Sequence, residues 1–335
     1  NRRPGPIRLA VMGAGQYGKS VFLPVLARNG KFDLNILVTG SGISGENSGR
    51  KFGFRECSTD AKKIFARDDC DAVIALLPHS QHAGTVMDAV VGGKHLLIEK
   101  PLCVTEDELE QIEEILAQQA QKPIVMVGHN RRYSGHTVWI KEQLKQRRAP
   151  LVMTIRINAG QVPHDHWVHS EKEGRSRIVG EGSHFIDLAM AIVGSPVKNV
   201  HATRIAGNDT TVVNNDNYLA LLRFADGSIA NICYTSQGPR SVSREVIEIF
   251  SEGSAIVSTD FRLTKRFSAE GHTKFSTSAQ DYGYADEINL FAAAIEGAAT
   301  LEPNYSEMIH TMRATFAIEK SLAEGAPITI GGTDK

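Results

Sequence analysis

A glycine-rich stretch placed directly after a short apolar segment constrains the fold of this chain more than any other feature. Ile7–Met12 is apolar and strand-like, and it leads into Gly13-Ala14-Gly15-Gln16-Tyr17-Gly18, after which apolar residues recur at helical spacing up to Leu26. In that context Gly13 permits a tight turn, Gly15 lets the backbone approach a diphosphate, and Gly18 lets the helix pack on the strand. The free N–H groups at the start of the helix attract phosphate oxygens. The arrangement predicts a dinucleotide site lined by Gly13, Gly15, Gln16, Tyr17 and Gly18.

Apolar strands continue to alternate with helices as far as residue 127. The predicted strands are Leu34–Val38, Ala72–Leu77, His95–Ile98 and Ile124–Val127, and the predicted helices are Ala61–Phe65, His82–Val91 and one that Thr105 and Glu108 begin as a capping box. Such a pattern predicts a parallel sheet that helices cover on both faces. Because ligands of these sheets bind beyond the carboxyl ends of the strands, we expect further cofactor contacts from Leu77, Pro78, His79, His82, Glu99, Lys100, Pro101 and Asn130.

The tip of the second predicted strand bears on the choice between NAD and NADP. Sites that prefer NAD usually carry an acidic residue there, which binds the ribose 2′-hydroxyl. This chain has Thr39, Gly40 and Ser41 instead, and we expect these three residues to contact the cofactor. A small polar tip leaves room for a 2′-phosphate, which Arg50 or Lys51 could reach, unless both are simply solvated helix residues. The cofactor is therefore NAD or NADP.

The pattern changes after Tyr133 to short strands of alternating polarity. Tight turns such as Ala225-Asp226-Gly227 join several of them, which predicts antiparallel pairing. The expected fold class is α/β, with an N-terminal Rossmann parallel sheet and a C-terminal α+β domain that carries a large, mostly antiparallel open sheet. The predicted domains are residues 1–131 and 132–335. We expect helices near Phe185–Ile192 and Ala285–Glu296 in the second domain, and a last helix near 305–323 that packs back on the first.

Two polar stretches of the second domain have the composition of a reactive site. In the first, His166 and Trp167 belong to a run with the spacing His-x-His-x-x-His, which is not a common metal-ligand pattern. We therefore predict a substrate loop and no metal. In the second, His184 begins an apolar helix behind two glycines, and Asp187 follows three residues later. A histidine there can act as an acid or base near neutral pH, although the spacing alone favours a hydrogen-bonded structural histidine.

The bulk composition excludes several classes of partner. Lysine and arginine total 37 against 38 acidic residues, so the formal net charge of −1 does not favour nucleic acid as a partner. No apolar run approaches the roughly 20 residues of a membrane helix. The four cysteines are scattered, which favours reduced thiols and a cytoplasmic location.

Taken together, these motifs resemble the glucose–fructose oxidoreductase and inositol dehydrogenase family, Gfo/Idh/MocA, over nearly the whole chain. The landmarks are Gly13-x-Gly15-x-x-Gly18, Pro78-His79-x-x-His82, Glu99-Lys100-Pro101, Asn130-Arg131-Arg132, Gly182-Ser183-His184-x-x-Asp187 and Asp286-Glu287-x-x-x-x-Phe291. The resemblance implies hydride transfer between a nicotinamide and a carbinol or carbonyl carbon of a sugar, polyol or sugar nucleotide. It places Lys100 beside the reacting hydroxyl and makes His184 the proton-transfer residue. The expected substrate contacts are Arg131, Tyr133, His166, Trp167 and Asp187.

One catalytic position departs from the family pattern. Many members carry Asp four residues before the histidine, where this chain has Gly180, so Glu181 is the candidate substitute. The resemblance also implies a homodimer or homotetramer. The sequence around Gly180–Phe185 resembles that of one subgroup of the family. Members of this subgroup are fused behind a zinc-type alcohol dehydrogenase-like domain and are associated with surface-polysaccharide synthesis. The lead-in Asn1–Pro6, which lacks an initiating Met, suits a domain from such a fusion.

Two other functions stay open at this stage. The chain could be a non-catalytic nicotinamide-binding regulatory module, for which the absent Asp at position 180 is the best support. It could also reduce an imine or an unsaturated ring rather than a sugar.

Overall fold

The computed structural model describes residues 5–207 and 211–331 of a chain that forms two compact units. The first unit contains the residues up to Gly128 together with Tyr284–Tyr305. The second contains His129–Gly283 together with the residues from Ser306 onward. Asn1–Pro4 of the lead-in singled out above lie outside the described residues. The α-helices are α1 (Leu23–Leu26), α2 (Gly42–Phe52), α3 (His82–Val91), α4 (Glu106–Gln118), α5 (Gly135–Leu144), α6 (Ser183–Val193), α7 (Tyr284–Ile295) and α8 (Tyr305–Glu324).

A six-stranded parallel sheet organises the first unit, as the sequence predicts. Its strands are β1 (Ile7–Met12), β2 (Phe32–Val38), β3 (Glu56–Ser58), β4 (Ala72–Ala75), β5 (His95–Ile98) and β6 (Val125–Val127), in the order β3-β2-β1-β4-β5-β6. The chain reverses its direction of growth between β1 and β4. This reversal is the topological switch point at which such sheets bind ligands, and the glycine-rich stretch directly follows β1.

The helix assignments of the first unit are mostly those expected. Helix α3 has the predicted bounds, and α4 begins with the predicted capping box: Thr105 Oγ1 accepts a hydrogen bond from Glu108 N (3.1 Å) while Glu108 Oε2 accepts one from Thr105 N (3.2 Å). Strand β4 ends at Ala75, two residues before the predicted end. The edge strand β3 had not been predicted.

A nine-stranded sheet forms the second unit. The strands are β7 (Val152–Asn158), β8 (Val197–Arg204), β9 (Tyr218–Phe224), β10 (Ile229–Thr235), β11 (Glu245–Ser251), β12 (Ser254–Thr259), β13 (Leu263–Ser268), β14 (Gly271–Ser276) and β15 (Ile328–Thr329). Their order is β14-β13-β12-β11-β7-β10-β9-β8-β15. The predicted hairpins β9–β10 and β11–β12 are antiparallel. Among the described strands of this second sheet, only β7 and β10 pair in parallel, so the fold class is confirmed.

The last two helices each belong to the unit that the sequence predicted for the other. Helix α8 joins the core of the second unit, where Ala314, Ala317 and Ile318 pack with the sheet residues. Helix α7 instead belongs to the first unit, and Phe291 stacks on Phe32 with ring centres 6.3 Å apart. This corrects the expectation that the segment returning to the first domain lies near 305–323, because α8 carries the larger set of buried residues needed by the second core.

No helix within the described residues combines the length and the apolar character that a bilayer crossing requires.

Candidate active site

The glycine turn after β1 has the geometry that a dinucleotide requires. Gly13 has φ +96°, and a Cβ placed there would lie 2.1 Å from the carbonyl oxygen of Leu76. A Cβ on Gly18 would lie 3.1 Å from Leu76 Cδ1, which is tight. Gly15 differs: it is exposed, and its Cβ would meet no atom within 4 Å. The open space at Gly15 lets a diphosphate approach the backbone at the start of a helix, so the turn fits the cofactor.

The two glycines therefore predict two separable effects. Gly13→Ala should lower both the melting temperature and the affinity for NADH, because its Cβ collides with a backbone carbonyl and its φ favours glycine. Gly15→Ala should leave the melting temperature unchanged and weaken NADH binding about tenfold or more, because its Cβ occupies only the space of the diphosphate. Thermal unfolding and fluorescence titration measure the two quantities. Unchanged NADH affinity in Gly15→Ala would show that the diphosphate does not lie there.

The tip of β2 holds no basic side chain from α2. Thr39 is buried, and its hydroxyl donates to Ser41 O at 2.9 Å, which closes the tip. Arg50 is the ninth residue of α2, so at 1.5 Å per residue it lies about 12 Å along the axis from the first. The Lys51 ammonium lies 5.1 Å from the centre of the Phe52 ring. These positions correct the idea that Arg50 or Lys51 reaches a 2′-phosphate at Thr39–Ser41.

His82 links the segments that follow β4 and β5. Its Nδ1 lies 2.5 Å from Pro101 O, its Nε2 lies 3.0 Å from Leu77 O, and the ring is fully buried. Burial lowers the pKa of His82, and the two carbonyl oxygens at its ring nitrogens oppose that shift. The prediction that His82 contacts the cofactor is corrected, since the imidazole is enclosed between two backbone carbonyls. It positions the loop residues Leu77 and Pro101 instead.

Tyr17 and Glu99 join the glycine turn to the end of β5. The Tyr17 hydroxyl donates to Glu99 Oε1 at 2.7 Å, and Glu99 Oε2 accepts from the backbone N–H of Lys100 at 3.3 Å. Burial and the Glu99 carboxylate raise the pKa of Tyr17 well above its usual value, so the hydroxyl stays protonated as a donor. A Cβ on Gly128 would lie 3.2 Å from the Glu99 side chain. These contacts fix the backbone that carries Lys100.

Two predicted substrate residues of the second unit are enclosed in ion pairs. Arg131 donates to both carboxylate oxygens of Glu245, at 2.7 Å each, and both side chains are buried. Asp187 is 1% exposed, and its Oδ2 accepts from Arg132 Nε at 2.9 Å. Burial raises the pKa of Asp187 to about 6, although the Arg132 guanidinium opposes the shift. These positions correct the substrate role predicted for Arg131 and Asp187, which brace the site from inside.

His184 lies at the start of α6, directly after a π-helical turn at Ile178–Gly182. π-Helical turns are rare in proteins, and many of those that occur lie at functional sites. The imidazole is 7% exposed, and its ring centre lies 5.6 Å from that of His129, which is edge-on to it. A Cβ on Gly182 would lie 2.8 Å from the Tyr218 hydroxyl, so close packing against β9 requires the glycine before this helix.

Glu181 belongs to a buried polar cluster that centres on Arg177. Arg177 is 2% exposed and donates to Glu181 Oε1 (3.0 Å), Gly160 O (2.8 Å) and Asp216 Oδ2 (3.2 Å). The Tyr234 hydroxyl donates to Glu181 Oε2 at 2.8 Å. Arg177 and Tyr234 thus hold the carboxylate that the sequence offers as a substitute for the missing Asp.

The predicted substrate loop is exposed at its tip. Trp167 is 46% exposed, His166 is exposed, and Nδ1 of His166 accepts from Val168 N at 3.3 Å. His169 is turned inward, with Nε2 3.8 Å from Asp216 Oδ2. Tyr133 is half-buried. Across residues 5–207 and 211–331, no group of three His, Cys, Asp or Glu side chains is arranged to hold a metal ion.

Comparison with known proteins decides the family. Residues 7–129 match the oxidoreductase family with an NAD-binding Rossmann fold, and residues 141–256 match the GFO/IDH/MocA C-terminal domain. The chain belongs to the Gfo/Idh/MocA oxidoreductase family. This confirms the resemblance drawn from the motifs, and with it an NAD(P)-dependent enzyme.

Relatives of this Gfo/Idh/MocA chain span its whole length. The inositol 2-dehydrogenase of Rhizobium meliloti (strain 1021) is 24% identical over 337 residues, which cover 97% of this chain and 99% of that protein. The structure of an oxidoreductase domain protein from Kribbella flavida has a TM-score of 0.86 at 19% identity and covers 98% of this chain and 100% of its own. A levoglucosan dehydrogenase in complex with NADH and levoglucosan has a TM-score of 0.83 at 20% identity, with coverage of 98% and 100%.

Sequence reasoning missed several residues that shape the site of this Gfo/Idh/MocA member. The missed residues are His129, Arg177, Asp216, Tyr234 and Glu245. The spacing of Arg177 and Glu181, four apart on one helical segment, was an available signal for an ion pair. His129 follows the predicted strand Ile124–Val127, at the edge where ligands of such sheets bind. It belongs to none of the motifs described above, so the sequence did not indicate a role for it.

Proposed function

We propose that the chain is an NAD(P)-dependent dehydrogenase that acts on a carbinol carbon of a polyol or sugar. The observation that carries the proposal is the glycine turn at the switch point, where Gly15 leaves open space for a diphosphate. The relatives named inositol 2-dehydrogenase and levoglucosan dehydrogenase support the substrate class, because a cyclitol and an anhydrosugar share ring carbinol groups.

The roles proposed for individual residues follow from their chemistry. The nicotinamide, when bound, accepts a hydride from the carbinol C–H bond. His184 takes the proton of the same hydroxyl group, whose O–H bond breaks as the carbonyl forms. The Lys100 ammonium stabilises the developing alkoxide. Gly13–Gly18 and Thr39–Ser41 hold the diphosphate and the ribose, while the buried ion pairs of Arg131 and Arg132 keep the residues around His184 in place.

We propose that Glu181 helps to hold the segment before His184 in place and transfers no proton of its own. Its carboxylate accepts from both Arg177 and Tyr234. Those hydrogen bonds favour its ionised form. The Arg177 guanidinium balances this carboxylate, so Glu181 occupies the position next to Gly180 without supplying a free negative charge to His184.

The open sheet supports a homo-oligomer. Every second residue of β9, starting with Leu219 and Leu221, is exposed, and Phe250 and Val152 form an exposed pair where β11 meets β7. We expect a second copy of this chain to cover that face, because exposed apolar patches of this kind mark association sites. Light scattering should give two or four times the 36.5 kDa chain mass, and Leu221→Lys should lower it. A monomeric mass for the unaltered chain would contradict this.

The activity is tested with a substrate panel and both oxidised cofactors. The panel contains cyclitols, anhydrosugars and the sugar nucleotides of surface polysaccharides, and reduced nicotinamide is followed by its absorbance. We expect turnover with at least one cyclitol or sugar and a measurable preference between NAD and NADP. Tight NADH binding without any turnover would indicate a regulatory module instead. In a second assay with NADH or NADPH as the reductant, reduction of imines but of no carbonyl sugar would indicate the other reductase class.

A further inference from the structure

A second buried histidine lies against the proposed proton-transfer residue. His129 is 1% exposed and follows β6 by two residues. Its ring centre is 5.6 Å from that of His184, and the two ring planes meet at 69°. This edge-to-face arrangement brings the edge of one imidazole against the other ring. The two rings are therefore close enough for a charge on one to act on the other.

Asp187, three residues after His184 on α6, also lies close to His129. Asp187 Oδ1 is 3.6 Å from His129 Nδ1, while Oδ2 is held by Arg132. The separation of 3.6 Å exceeds a hydrogen bond, but in a buried setting a carboxylate at that distance acts strongly on an imidazole. Oδ1 is buried and accepts no hydrogen bond from the described residues. The carboxylate thus has capacity left for a positive charge on the histidines.

The turn that precedes His184 supplies no carboxylate that is available to stabilise a protonated His184. Gly180 has no side chain, and the neighbouring Glu181 is shared between Arg177 and Tyr234. A base that gains a proton in a buried site needs a group to stabilise its charge. The His129–Asp187 pair lies on the unit that carries His184 and supplies this group.

We propose that His129, backed by Asp187, is a positioning residue for His184 that orients its ring and stabilises its protonated form. The inference rests on the proposed role of His184. During oxidation the hydroxyl O–H bond breaks, its proton binds a ring nitrogen of His184, and the electron pair of the C–H bond leaves as hydride to the nicotinamide. The resulting imidazolium lies beside the His129 ring and is balanced by the carboxylate of Asp187. His129 itself does not touch the substrate.

The titratable groups around this pair come from three elements, namely the turn Asn130–Tyr133 and the helices α5 and α8. Arg132 precedes α5, Lys141 lies on α5, and both oppose the rise in the pKa of Asp187 that burial causes. Glu307 on α8 acts on Arg132, as does Tyr133. A substitution at His129 keeps all of these side chains. A change in the pKa of His184 in such a variant is therefore assigned to the loss of the His129 ring.

His129→Phe tests the proposal through the pH profile. His184 must be neutral to accept a proton, so loss of a group that favours the imidazolium should move the acidic limb of kcat/KM to lower pH. We expect kcat to fall by about tenfold to a hundredfold, with KM and NADH affinity changed by less than roughly twofold. His129→Gln, which restores a polar group beside Asp187, should recover part of kcat and of the shift.

His136→Phe is the matched control. His136 is also a buried histidine of the second unit, but its nitrogens lie at Thr264 Oγ1 (2.8 Å) and Thr277 Oγ1 (3.1 Å). Its loss should leave the acidic limb in place. An equal shift in His136→Phe would mean that any buried histidine has this effect, which would overturn the proposal.

Nuclear magnetic resonance of the cofactor-free protein separates this proposal from the proposed function. Labelled histidine reports the pKa of His184 directly, and we expect that pKa to be lower in His129→Phe than in the unaltered chain. That result supports the coupling even if no substrate is turned over. An unchanged His184 pKa overturns the proposal, whether or not the enzyme is active. If His129→Phe does not fold, the same comparison is made with His129→Leu, which also removes the polar ring, and an unchanged His184 pKa in that variant overturns the proposal.

Discussion

Lys100→Met is expected to lower turnover by at least about a hundredfold while NADH binding persists. Lys100 follows β5 at the carboxyl end of the parallel sheet, and its backbone N–H is held by Glu99. Methionine keeps the apolar stem of the side chain but removes the ammonium that stabilises the alkoxide. Loss of one such electrostatic contact costs about a hundredfold to a thousandfold in kcat. The glycine turn is untouched, so the affinity for NADH should change little.

Lys62→Met is the control for this prediction. Lys62 is an exposed lysine of the same unit, on the turn Lys62–Ala66 before β4, and its replacement should leave kcat unchanged. Stopped-flow or steady-state kinetics with a substrate from the panel gives kcat, and fluorescence titration gives the NADH dissociation constant. Undiminished turnover in Lys100→Met would remove Lys100 from the mechanism.

His184→Ala should produce the second large loss. Removing a general base costs about a hundredfold to ten-thousandfold in kcat, and the variant keeps the ion pairs of Arg131 and Arg132 that brace the second unit. Because the ring is nearly fully buried, alanine leaves a space in which a small base can bind. Added imidazole should therefore restore part of the rate, which a purely structural loss would not allow.

The control for His184→Ala is His201→Ala, which removes an exposed histidine of β8. Its kinetics should match those of the unaltered chain. Full activity in His184→Ala would exclude proton transfer by this residue. A loss that imidazole does not reverse, together with a lowered melting temperature, would favour the structural histidine considered from the sequence.

The first unit could be predicted largely from local sequence, because its signals are local. Apolar runs mark β1, β2, β4 and β5, and the capping box at Thr105 marks the start of α4. Helix α2 was not assigned bounds, since glycines at 42, 45 and 49 weaken its helical propensity. The parallel pairing of β7 with β10 depends on strands far apart in the chain, and no local pattern encodes it.

The candidate site was predictable in its motifs but not in the direction of its side chains. The glycine turn and His184 stand in the predicted contexts. Arg131 reads as an exposed cation, yet it is buried against Glu245, 114 residues away. The three-residue spacing of His184 and Asp187 indicates that they share one helix. It does not reveal that Asp187 pairs with Arg132. Ion pairs between distant residues are set by tertiary packing, so composition alone could not reveal them.

Direct observation of hydride transfer tests the central claim. The enzyme is incubated with its preferred oxidised cofactor and with the best cyclitol or sugar of the panel, deuterated at the carbinol carbons. Mass spectrometry then measures the mass of the reduced cofactor. The account predicts reduced nicotinamide that carries deuterium from the substrate, formed at least about a hundredfold more slowly by Lys100→Met. Reduced cofactor without deuterium, or no reduced cofactor from any member of the panel, would contradict it.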